Sequence, residues 1–362
     1  MKKLLNYVFV VIILVALLFS LTGCGKEKVE DIVLETEQGQ VEEKTEGKEL
    51  EIKEEAKAPE FEIFNGNDRP IAFMIDNNKN AQPQASLNST YLVYEIIVEG
   101  GESRLMALFK GKVADEVGPI RSARHYFIDY AMENDALYAH LGMSPQAQAT
   151  FQEFGIQHIN GQVYDTGKAR TDTSLYWRSK HKKAPHNAYT NTESILEVAK
   201  GYGWKTTSDK KPVLNYVTEE VELNSEDAFA VQSVKIPYTK SHVVEYKYNS
   251  ETGRYTRWSK GKKMFDEMTS EEVTTKNLII TLAENYTLDD GEDKGRQDVL
   301  TIGSLDGYYI TNGKAIKIKC NKASRFEQTK YVDLNGNEIK VNDGNTWINV
   351  CPIDAELTFI GE

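Results

Sequence analysis

The sequence predicts an α+β protein, with a mixed α/β domain over residues 61–205 and a mainly antiparallel β domain over residues 206–362. Capped helix patterns alternate with buried strand patterns in the first region. Alternating strand patterns dominate the second region, where Asn-Gly pairs at 312–313 and 335–336 mark turns. The two regions therefore have different predicted architectures.

Three segments of the first domain predict strands. Residues 69–77, RPIAFMIDN, form a compact apolar run that opens at a proline and ends in polar residues, which predicts a buried strand. Residues 91–109 predict a β-hairpin, because two strand patterns flank Gly100 and Gly101. Residues 136–142, ALYAHLG, predict a further strand.

Three helices are predicted in the same domain. The first runs from a cap at Ser122 to about Glu133. The second lies in residues 144–155, SPQAQATFQEFG, with serine as cap, proline at the first position and glycine past the end. The third begins at a capping box formed by Thr190 and Glu193.

The N-terminus has the layout of a secretory signal. Residues 1–23 contain a short basic start and an apolar run, and they end in Leu-Thr-Gly directly before Cys24. This ending resembles a bacterial lipobox, in which the cysteine carries a diacylglyceryl group after cleavage. The alternative is a plain transmembrane anchor, since the apolar run is near the lower limit for spanning. We predict a lipoprotein signal peptide, anchoring at Cys24 and a place on the outer face of the plasma membrane.

Residues 24–60 are predicted to form an acidic, disordered tether. Residues 25–60 carry 13 acidic side chains against 6 lysines and no aromatic residue, so they cannot bury enough apolar surface to fold. The whole chain has a net charge of −12, and we expect no general affinity for nucleic acid. A place outside the cytoplasm argues against nicotinamide or nucleotide chemistry, and no cofactor is expected.

Two glutamates share one face of the predicted hairpin strand. Glu95 and Glu99 are four residues apart, which separates their Cα atoms by about 13 Å. That is too far for a glycosidase pair, whose carboxyl groups lie roughly 5 to 9.5 Å apart. Two interpretations stay open: an ion network with arginines, or acid/base catalysis by Glu95 with Asp76 or Asp129 on other segments.

Arg104, Arg121 and Arg124 are the arginines available to these acids. Arg124 falls in the first turn of a predicted helix, where the macrodipole disfavours a cation. A nearby carboxylate would offset that cost, and so would a bound phosphate or carboxylate ligand. The sequence leaves both alternatives open. The residues predicted for the candidate ligand site are Asp76, Asn77, Glu95, Glu99, Arg104, Arg121, Ser122 and Arg124.

Two histidines complete the set of candidate catalytic residues. His140 ends a predicted strand, and His186 lies in a turn-forming Pro-His-Asn stretch that could place it at a cleft. No H-x-x-x-H or H-E-x-x-H spacing is present, so no metal site is expected. The basic loop over residues 175–190 has aromatic flanks, and it either engages a glycan or anionic wall polymer or is simply solvated.

Cys320 and Cys351 lie 31 residues apart in a strand-rich region. They could form a disulfide in an oxidising compartment. The alternative is a pair of buried thiols that pack as small apolar groups.

Several separated motifs occur in a specific order: RPIAFMIDN to LMALF, GPIRSARHYFIDYAMENDALYAHLG and KAPHNAYT, then RYTRWSKGK, TNGKAIKIKC and GNTWINVCP. This order resembles the YerB-type family of two-domain bacterial lipoproteins, over most of residues 69–352. The resemblance implies a Gram-positive plasma membrane and no established activity. The motif residues it implies are Asp76, Asn77, Pro83, Gln84, Glu95, Glu99, Gly100, Gly101, Arg104, Arg121, Ser122, Arg124, Asp129, His140, Pro185, His186 and Asn187.

Three functions are consistent with these observations. The first is a lipid-anchored extracytoplasmic protein that binds an anionic cell-wall glycan or polymer, or a protein of the wall-synthesis machinery. The second is a hydrolase or transferase acting on an envelope glycan or phosphodiester, with Glu95 or Asp129 as acid/base and His140 or His186 assisting. The third is a structural scaffold in which these charges are paired internally.

Overall fold

A computed structural model describes residue 63 and residues 66–361. The predicted signal peptide, the predicted lipidation site Cys24 and the acidic tether lie outside the described residues. The α-helices of the described part are α1 (His125–Glu133), α2 (Pro145–Phe154) and α3 (Thr192–Gly201). In this part of the chain, no helix has the length and apolar character needed to cross a membrane.

Strands make up most of the structure. The strands before residue 206 are β1 (Ile71–Asp76), β2 (Leu92–Ile97), β3 (Ser103–Phe109), β4 (Leu137–His140), β5 (His158–Asn160), β6 (Trp177–Arg178) and β7 (Ala188–Tyr189). The later strands are β8 (Asn215–Val217), β9 (Phe229–Ala230), β10 (Ser233–Thr239), β11 (His242–Asn249), β12 (Arg254–Ser259), β13 (Lys262–Lys263), β14 (Thr274–Thr275), β15 (Asn277–Ala283), β16 (Asn285–Thr287), β17 (Gln297–Val299), β18 (Gly303–Thr311), β19 (Lys314–Lys322), β20 (Lys330–Asp333), β21 (Lys340–Asn342), β22 (Thr346–Pro352) and β23 (Thr358–Ile360).

An 11-stranded sheet forms the centre of the fold. Its order is β20-β19-β18-β15-β22-β2-β3-β1-β4-β5, with β9 paired to β19. Strand β22 joins the two sequence regions, because it pairs in parallel with β15 on one side and with β2 on the other. The mixed region and the β-rich region therefore share one sheet, a pairing that local sequence patterns do not predict.

A second sheet, ordered β13-β12-β11-β10-β23 with β14 paired to β12, packs on the central sheet. Two of its tyrosines make the connection: the Tyr238 hydroxyl donates to the Glu95 carbonyl at 3.0 Å, and the Tyr246 hydroxyl donates to Asn349 Oδ1 at 3.2 Å. Buried apolar residues from both regions form one continuous core.

The predicted fold class is confirmed, and several elements match the sequence patterns. The hairpin of β2 and β3 turns through the three residues Glu99–Gly101, in which Gly100 and Gly101 have φ angles of 73° and 70°, in the left-handed region that glycine adopts readily. Helix α2 begins as predicted, because the Ser144 side chain accepts a hydrogen bond from the amide of Ala147. Most strands after residue 206 pair in antiparallel fashion.

Two predicted helix starts are wrong by one or two residues. Arg124, not Ser122, occupies the N-cap position of α1, and its side chain makes no cap hydrogen bond. Asn191, not Thr190, caps α3 by accepting from the amide of Ser194. The Thr190 hydroxyl instead donates a hydrogen bond to the Leu175 carbonyl, at 2.7 Å.

The structure corrects the disulfide alternative, because Cys320 and Cys351 are buried free thiols. Strands β18 and β15 lie between β19 and β22, which separates the two backbones by roughly 14 Å, about twice the distance a disulfide spans. Both sulfurs contact Thr281: its hydroxyl donates to Cys320 Sγ at 3.3 Å, and Cys351 Sγ donates to its carbonyl at 3.7 Å.

Candidate functional site

Polar side chains from three strands meet at one edge of the central sheet. β1, β2 and β4 run in the same direction, and Asp76, Glu99 and His140 lie at or just beyond their carboxyl ends. Residues 117–121 run beside the end of β1, joined to it by two backbone hydrogen bonds of 2.8 Å, and this brings the arginines to the same place. We call this region the carboxyl edge.

At the carboxyl edge, Glu99 is paired with two arginines. It accepts hydrogen bonds from Arg104 Nη2 at 2.9 Å and from Arg124 Nε at 2.9 Å, with a further short contact to Arg124 Nη2. Burial alone would raise the pKa of Glu99. The hydrogen bond from Arg124 and the charges of both arginines outweigh this effect and lower the pKa to about 2. The carboxylate that offsets the charge of Arg124 at the helix start is therefore Glu99.

Arg121 is paired differently, with the carboxylate of Asp76. Its Nε lies 3.3 Å from Asp76 Oδ2 without hydrogen-bond geometry, and His186 Nδ1 lies 2.7 Å from the same oxygen. Among the described residues, Asp76 is the one ion-pair partner of the Arg121 guanidinium, which makes no hydrogen bond to them. The side chain of Arg121 is 27% exposed and that of His186 17%, so both reach solvent.

The carboxyl edge is locally positive in an acidic protein. The cluster contains three arginines and two carboxylates: Arg104, Arg121 and Arg124 with Glu99 and Asp76. Its net charge is therefore +1, whereas the net charge of the whole chain is −12. Burial and the neighbouring charges of Arg124 and Arg121 lower the pKa of Arg104 to about 10. The three guanidinium groups are thus close enough to act on one another electrostatically.

Ser122 positions the arginines through its backbone rather than capping the helix. Its carbonyl oxygen accepts from Arg104 Nη1 in a short contact and from Arg124 Nη1 at 3.3 Å. Its hydroxyl donates to the Leu141 carbonyl at 3.0 Å. Ser122 is therefore part of the predicted cluster, with a different role from the one expected.

Glu95 belongs to a separate and fully buried network. Its Oε2 accepts from Arg257 Nη2 at 2.6 Å, and its Oε1 accepts from Ser103 Oγ at 2.6 Å and Asn77 Nδ2 at 3.0 Å. Burial alone would raise the pKa of Glu95, but the charge of Arg257 and the neighbouring His242, 3.6 Å away, outweigh it and lower the pKa to about 2. The carboxylate has no exposed surface, which leaves no face of Glu95 or Asn77 for a substrate or ligand in this structure.

Ser103, His242 and Glu102 have the connectivity of a Ser–His–acid triad. His242 Nε2 lies 3.2 Å from Ser103 Oγ, and His242 Nδ1 lies 3.3 Å from Glu102 Oε2. However, the Ser103 hydroxyl donates its proton to Glu95, and Ser103 and His242 are both buried. A nucleophile must reach its substrate, so these contacts hold the fold together rather than forming a hydrolase site.

Asp129 forms its ion pair with Arg325 and not with a carboxyl-edge arginine. Its Oδ1 accepts from Arg325 Nε at 2.7 Å, and its Oδ2 accepts from the Thr301 hydroxyl at 3.2 Å. Burial raises the pKa of Asp129 against the lowering effect of Arg325. One turn along α1, Glu133 makes a buried pair with Lys322 at 2.7 Å. Both pairs join α1 to the β-rich region.

His140 is enclosed in a stack of rings. Its Nδ1 lies 2.8 Å from the Gly142 carbonyl, its Nε2 lies 2.9 Å from His158 Nδ1, and its ring stacks on Phe151. Burial and the neighbouring His158 lower the pKa of His140 to about 3, so the ring is neutral at pH 7. With no exposed surface, His140 makes no contact with solvent.

The basic loop is partly neutralised by acids. Arg178 Nε donates to Asp165 at 2.9 Å, and Lys182 Nζ lies 2.5 Å from Glu267. Trp177 is buried, so it offers no face to a ligand. A cavity of about 800 Å³ lies at the opposite edge of the sheet, at the first residue of β1 and the last of β3, and no carboxyl-edge arginine lines it.

Within the described residues, no group of three or more His, Cys, Asp or Glu side chains is placed to hold a metal ion. Sequence reasoning missed the partners Arg257, His242, Arg325, Lys322 and His158. One signal was available for Arg257: it shares a face with Tyr255 and Ser259 in an alternating strand whose inward side is buried. A charged residue in that register requires a buried partner.

Comparisons with known proteins match both regions. Residues 59–205 match the N-terminal domain, and residues 234–348 the C-terminal domain, of a protein family of unknown function, DUF3048. The chain is 29% identical over 306 residues to a Bacillus subtilis strain 168 protein named "Putative lipoprotein YerB", covering 81% of this chain and 85% of that protein.

The fold is also similar to a solved structure. The crystal structure of the YerB protein from Bacillus subtilis matches with a TM-score of 0.69 and 29% identity, over 81% of this chain and 94% of that one. With both family domains present in order, the chain belongs to the YerB-type family of two-domain proteins, whose function is unknown.

Proposed function

We propose that the protein is a lipid-anchored extracytoplasmic protein that binds an anionic group of a cell-envelope molecule at its carboxyl edge. The lipobox-like sequence before Cys24 and the name of the Bacillus relative support the anchor. One observation carries the binding role: Arg121 is part-exposed, with Asp76 as its one charged partner among the described residues.

The chemistry of Arg121 suits a phosphate or a carboxylate. Glu99 pairs with both Arg104 and Arg124 and neutralises only one of their two charges, so they form a fixed positive background beneath the surface. The two terminal nitrogens of Arg121 make no hydrogen bond to the described residues, and a pair of guanidinium nitrogens matches the paired oxygens of these anions. His186, beside it on Asp76, supplies a further polar group that reaches solvent.

The test compares two arginines of similar exposure. Arg121→Ala is expected to weaken retention on purified cell-wall fragments by about tenfold to a hundredfold, because a charge-assisted hydrogen bond contributes roughly 1.5 to 3 kcal/mol. Arg178→Ala is the matched control, since Arg178 is 25% exposed and pairs with Asp165, which none of the carboxyl-edge arginines contacts. Fragments stripped of phosphate polymers by acid distinguish a phosphate ligand from a peptide carboxylate.

Thermal unfolding of each variant separates binding from folding. Arg121→Ala should unfold within a few degrees of the unmodified protein, because its ion pair is part-exposed and weak. Equal retention of Arg121→Ala and the unmodified protein, or equal loss in both variants, would overturn the proposal. So would failure of the unmodified protein to bind either fragment preparation.

A second candidate function, hydrolysis of an envelope phosphodiester, is favoured by the contact between His186 and Asp76. A carboxylate 2.7 Å from Nδ1 orients the ring as in general bases, and Arg121 on the same carboxylate could stabilise a developing negative charge. His186→Gln should then abolish turnover of a chromogenic phosphodiester while it preserves binding to wall fragments. Absence of turnover by the unmodified protein would eliminate this candidate.

A further inference from the structure

A groove with exposed aromatic rings lies beyond β5 and α3, outside the carboxyl edge. It has a volume of about 330 Å³, and the lining residues that matter are His158, Asn160, Val163, Tyr164, Tyr202 and Trp204. We call it the aromatic groove. None of these residues belongs to the predicted site.

The rings of the aromatic groove are stacked but open to water. Tyr202 and Trp204 lie 4.9 Å apart between ring centroids, with 22° between their planes. Tyr202 is 59% exposed and Val163 74% exposed, although apolar surface of this kind is favourably removed from water. Tyr202 and Val163 therefore leave apolar surface in contact with water.

A second depression, of about 200 Å³, extends the groove. Tyr164 and Tyr202 line both depressions, and their hydroxyl groups lie 3.0 Å apart, forming a ridge between them. Because one hydroxyl donates to the other, one O–H donor of the pair stays available. Two depressions on either side of a hydroxyl-bearing ridge suit an elongated ligand with repeating units.

The hydrogen bonds of His140 and His158 determine which ring nitrogen of His158 is an acceptor in the groove. The Gly142 carbonyl can only accept, so His140 Nδ1 carries a proton and, in the neutral ring, His140 Nε2 is an acceptor. His158 Nδ1 must then donate to it. Burial lowers the pKa of His158, which is therefore neutral at pH 7, and its Nε2 is left as an acceptor in the groove lining.

The charge of the aromatic groove also restricts its ligand. The second depression has one charged residue in its lining, Glu197. Among the described residues that line the 330 Å³ depression, there is no Asp, Glu, Lys or Arg, and Asn160 contributes an uncharged amide. An ionic ligand would lose hydration here without gaining a counter-charge. A ligand with apolar faces and uncharged hydroxyl groups would place the faces on the rings and donate a hydroxyl to His158.

We propose that the aromatic groove binds a neutral glycan, with a sugar ring stacked on Tyr202 and Trp204 and a sugar hydroxyl donated to His158. The groove geometry, the exposed rings and the uncharged lining of the 330 Å³ depression carry this inference. It does not rest on the arginine cluster, because none of the carboxyl-edge arginines lines the groove.

The test is calorimetric titration of the full chain with neutral tetrasaccharides of N-acetylglucosamine and of glucose. Tyr202→Ala is expected to weaken binding about tenfold through loss of the stacked ring, whereas Tyr202→Phe should stay within about threefold. Tyr286→Ala is the matched control, because Tyr286 is 47% exposed on the β16–β17 hairpin. Tyr202 is the most exposed ring of the groove, so its substitution should not disturb folding.

Three results would overturn the inference. These are no binding of either tetrasaccharide at millimolar concentration, unchanged affinity in Tyr202→Ala, and equal loss of affinity in Tyr286→Ala. Arg121→Ala distinguishes this site from the proposed anion site, since it should leave binding of a neutral tetrasaccharide unchanged. A neutral glycan that requires Arg121 would contradict an independent aromatic groove.

Discussion

Glu95 on β2 and Arg257 on β12 form a fully buried ion pair, with 2.6 Å between Oε2 and Nη2, across 162 residues of sequence. The guanidinium also lies 4.7 Å from the centroid of the Trp347 ring. The pair fastens the second sheet to the central sheet at the strand where the two sequence regions meet. The role of Glu95 is therefore set by a partner outside its own sequence region.

Breaking this pair should destabilise the protein strongly. Glu95→Gln leaves Arg257 buried without its counter-charge, and removal of one partner of a buried pair costs about 3 to 5 kcal/mol. Urea unfolding of Glu95→Gln measures this cost. The double variant Glu95→Gln with Arg257→Met should lose less than the sum of the two single losses, and simple additivity would argue against direct coupling.

Stability should decrease in mild acid because of His140. Its folded pKa is about 3 against an ordinary value of 6.5, so between these values only the unfolded chain binds the proton. Stability is therefore lost as the pH falls through this window. His140→Gln should reduce the slope of the free energy of unfolding against pH by up to about 1.4 kcal/mol per pH unit.

Chemical denaturation at a series of pH values between 6.5 and 4 measures this difference. His181→Gln is the control, because His181 is exposed and its substitution should leave the dependence unchanged. An identical pH dependence in His140→Gln and the unmodified protein would mean that the buried ring is not the source.

The two buried cysteines should be inert in the folded protein. Burial raises the pKa of Cys320 and of Cys351 to about 12, and the thiolate is the reactive form. Iodoacetamide at pH 8 should leave both peptides unmodified until the chain is denatured, and both should then react without a reductant. A requirement for reductant, detected by peptide mass spectrometry, would show a disulfide instead.

Gly307 should not tolerate a side chain. A Cβ there would lie 2.3 Å from the carbonyl oxygen of Ile280 and 3.0 Å from Cys320 Sγ, and the first of these is backbone. Gly307→Ala is expected to cost about 1 to 3 kcal/mol through overpacking, measured by thermal unfolding. Gly201→Ala is the control, because nothing lies within 4 Å of its added Cβ, and a stability loss of equal size there would refute the steric argument.

The sequence offered a carboxylate as one of two alternative partners for the arginines at the start of α1, and in the structure Arg124 pairs with Glu99. It did not determine which one, because Glu95 and Glu99 share a strand pattern and differ only in what lies beside them. Glu99 lies just beyond the end of β2, near Arg104 and Arg124, whereas Glu95 faces β12 in the second sheet. Partner choice depends on strand order, which local patterns do not contain.

The sequence by itself determined the fold class, the β2–β3 hairpin and the capped helix α2, because these depend on residues within a few positions of each other. It also supplied the motif order that resembles the family. Only the tertiary structure decided that one sheet spans both regions and that Glu95 is enclosed while Arg121 stays part-exposed. Burial and ion pairing are set by segments more than a hundred residues apart, whose contacts exist only once the strands have taken their order in the sheet.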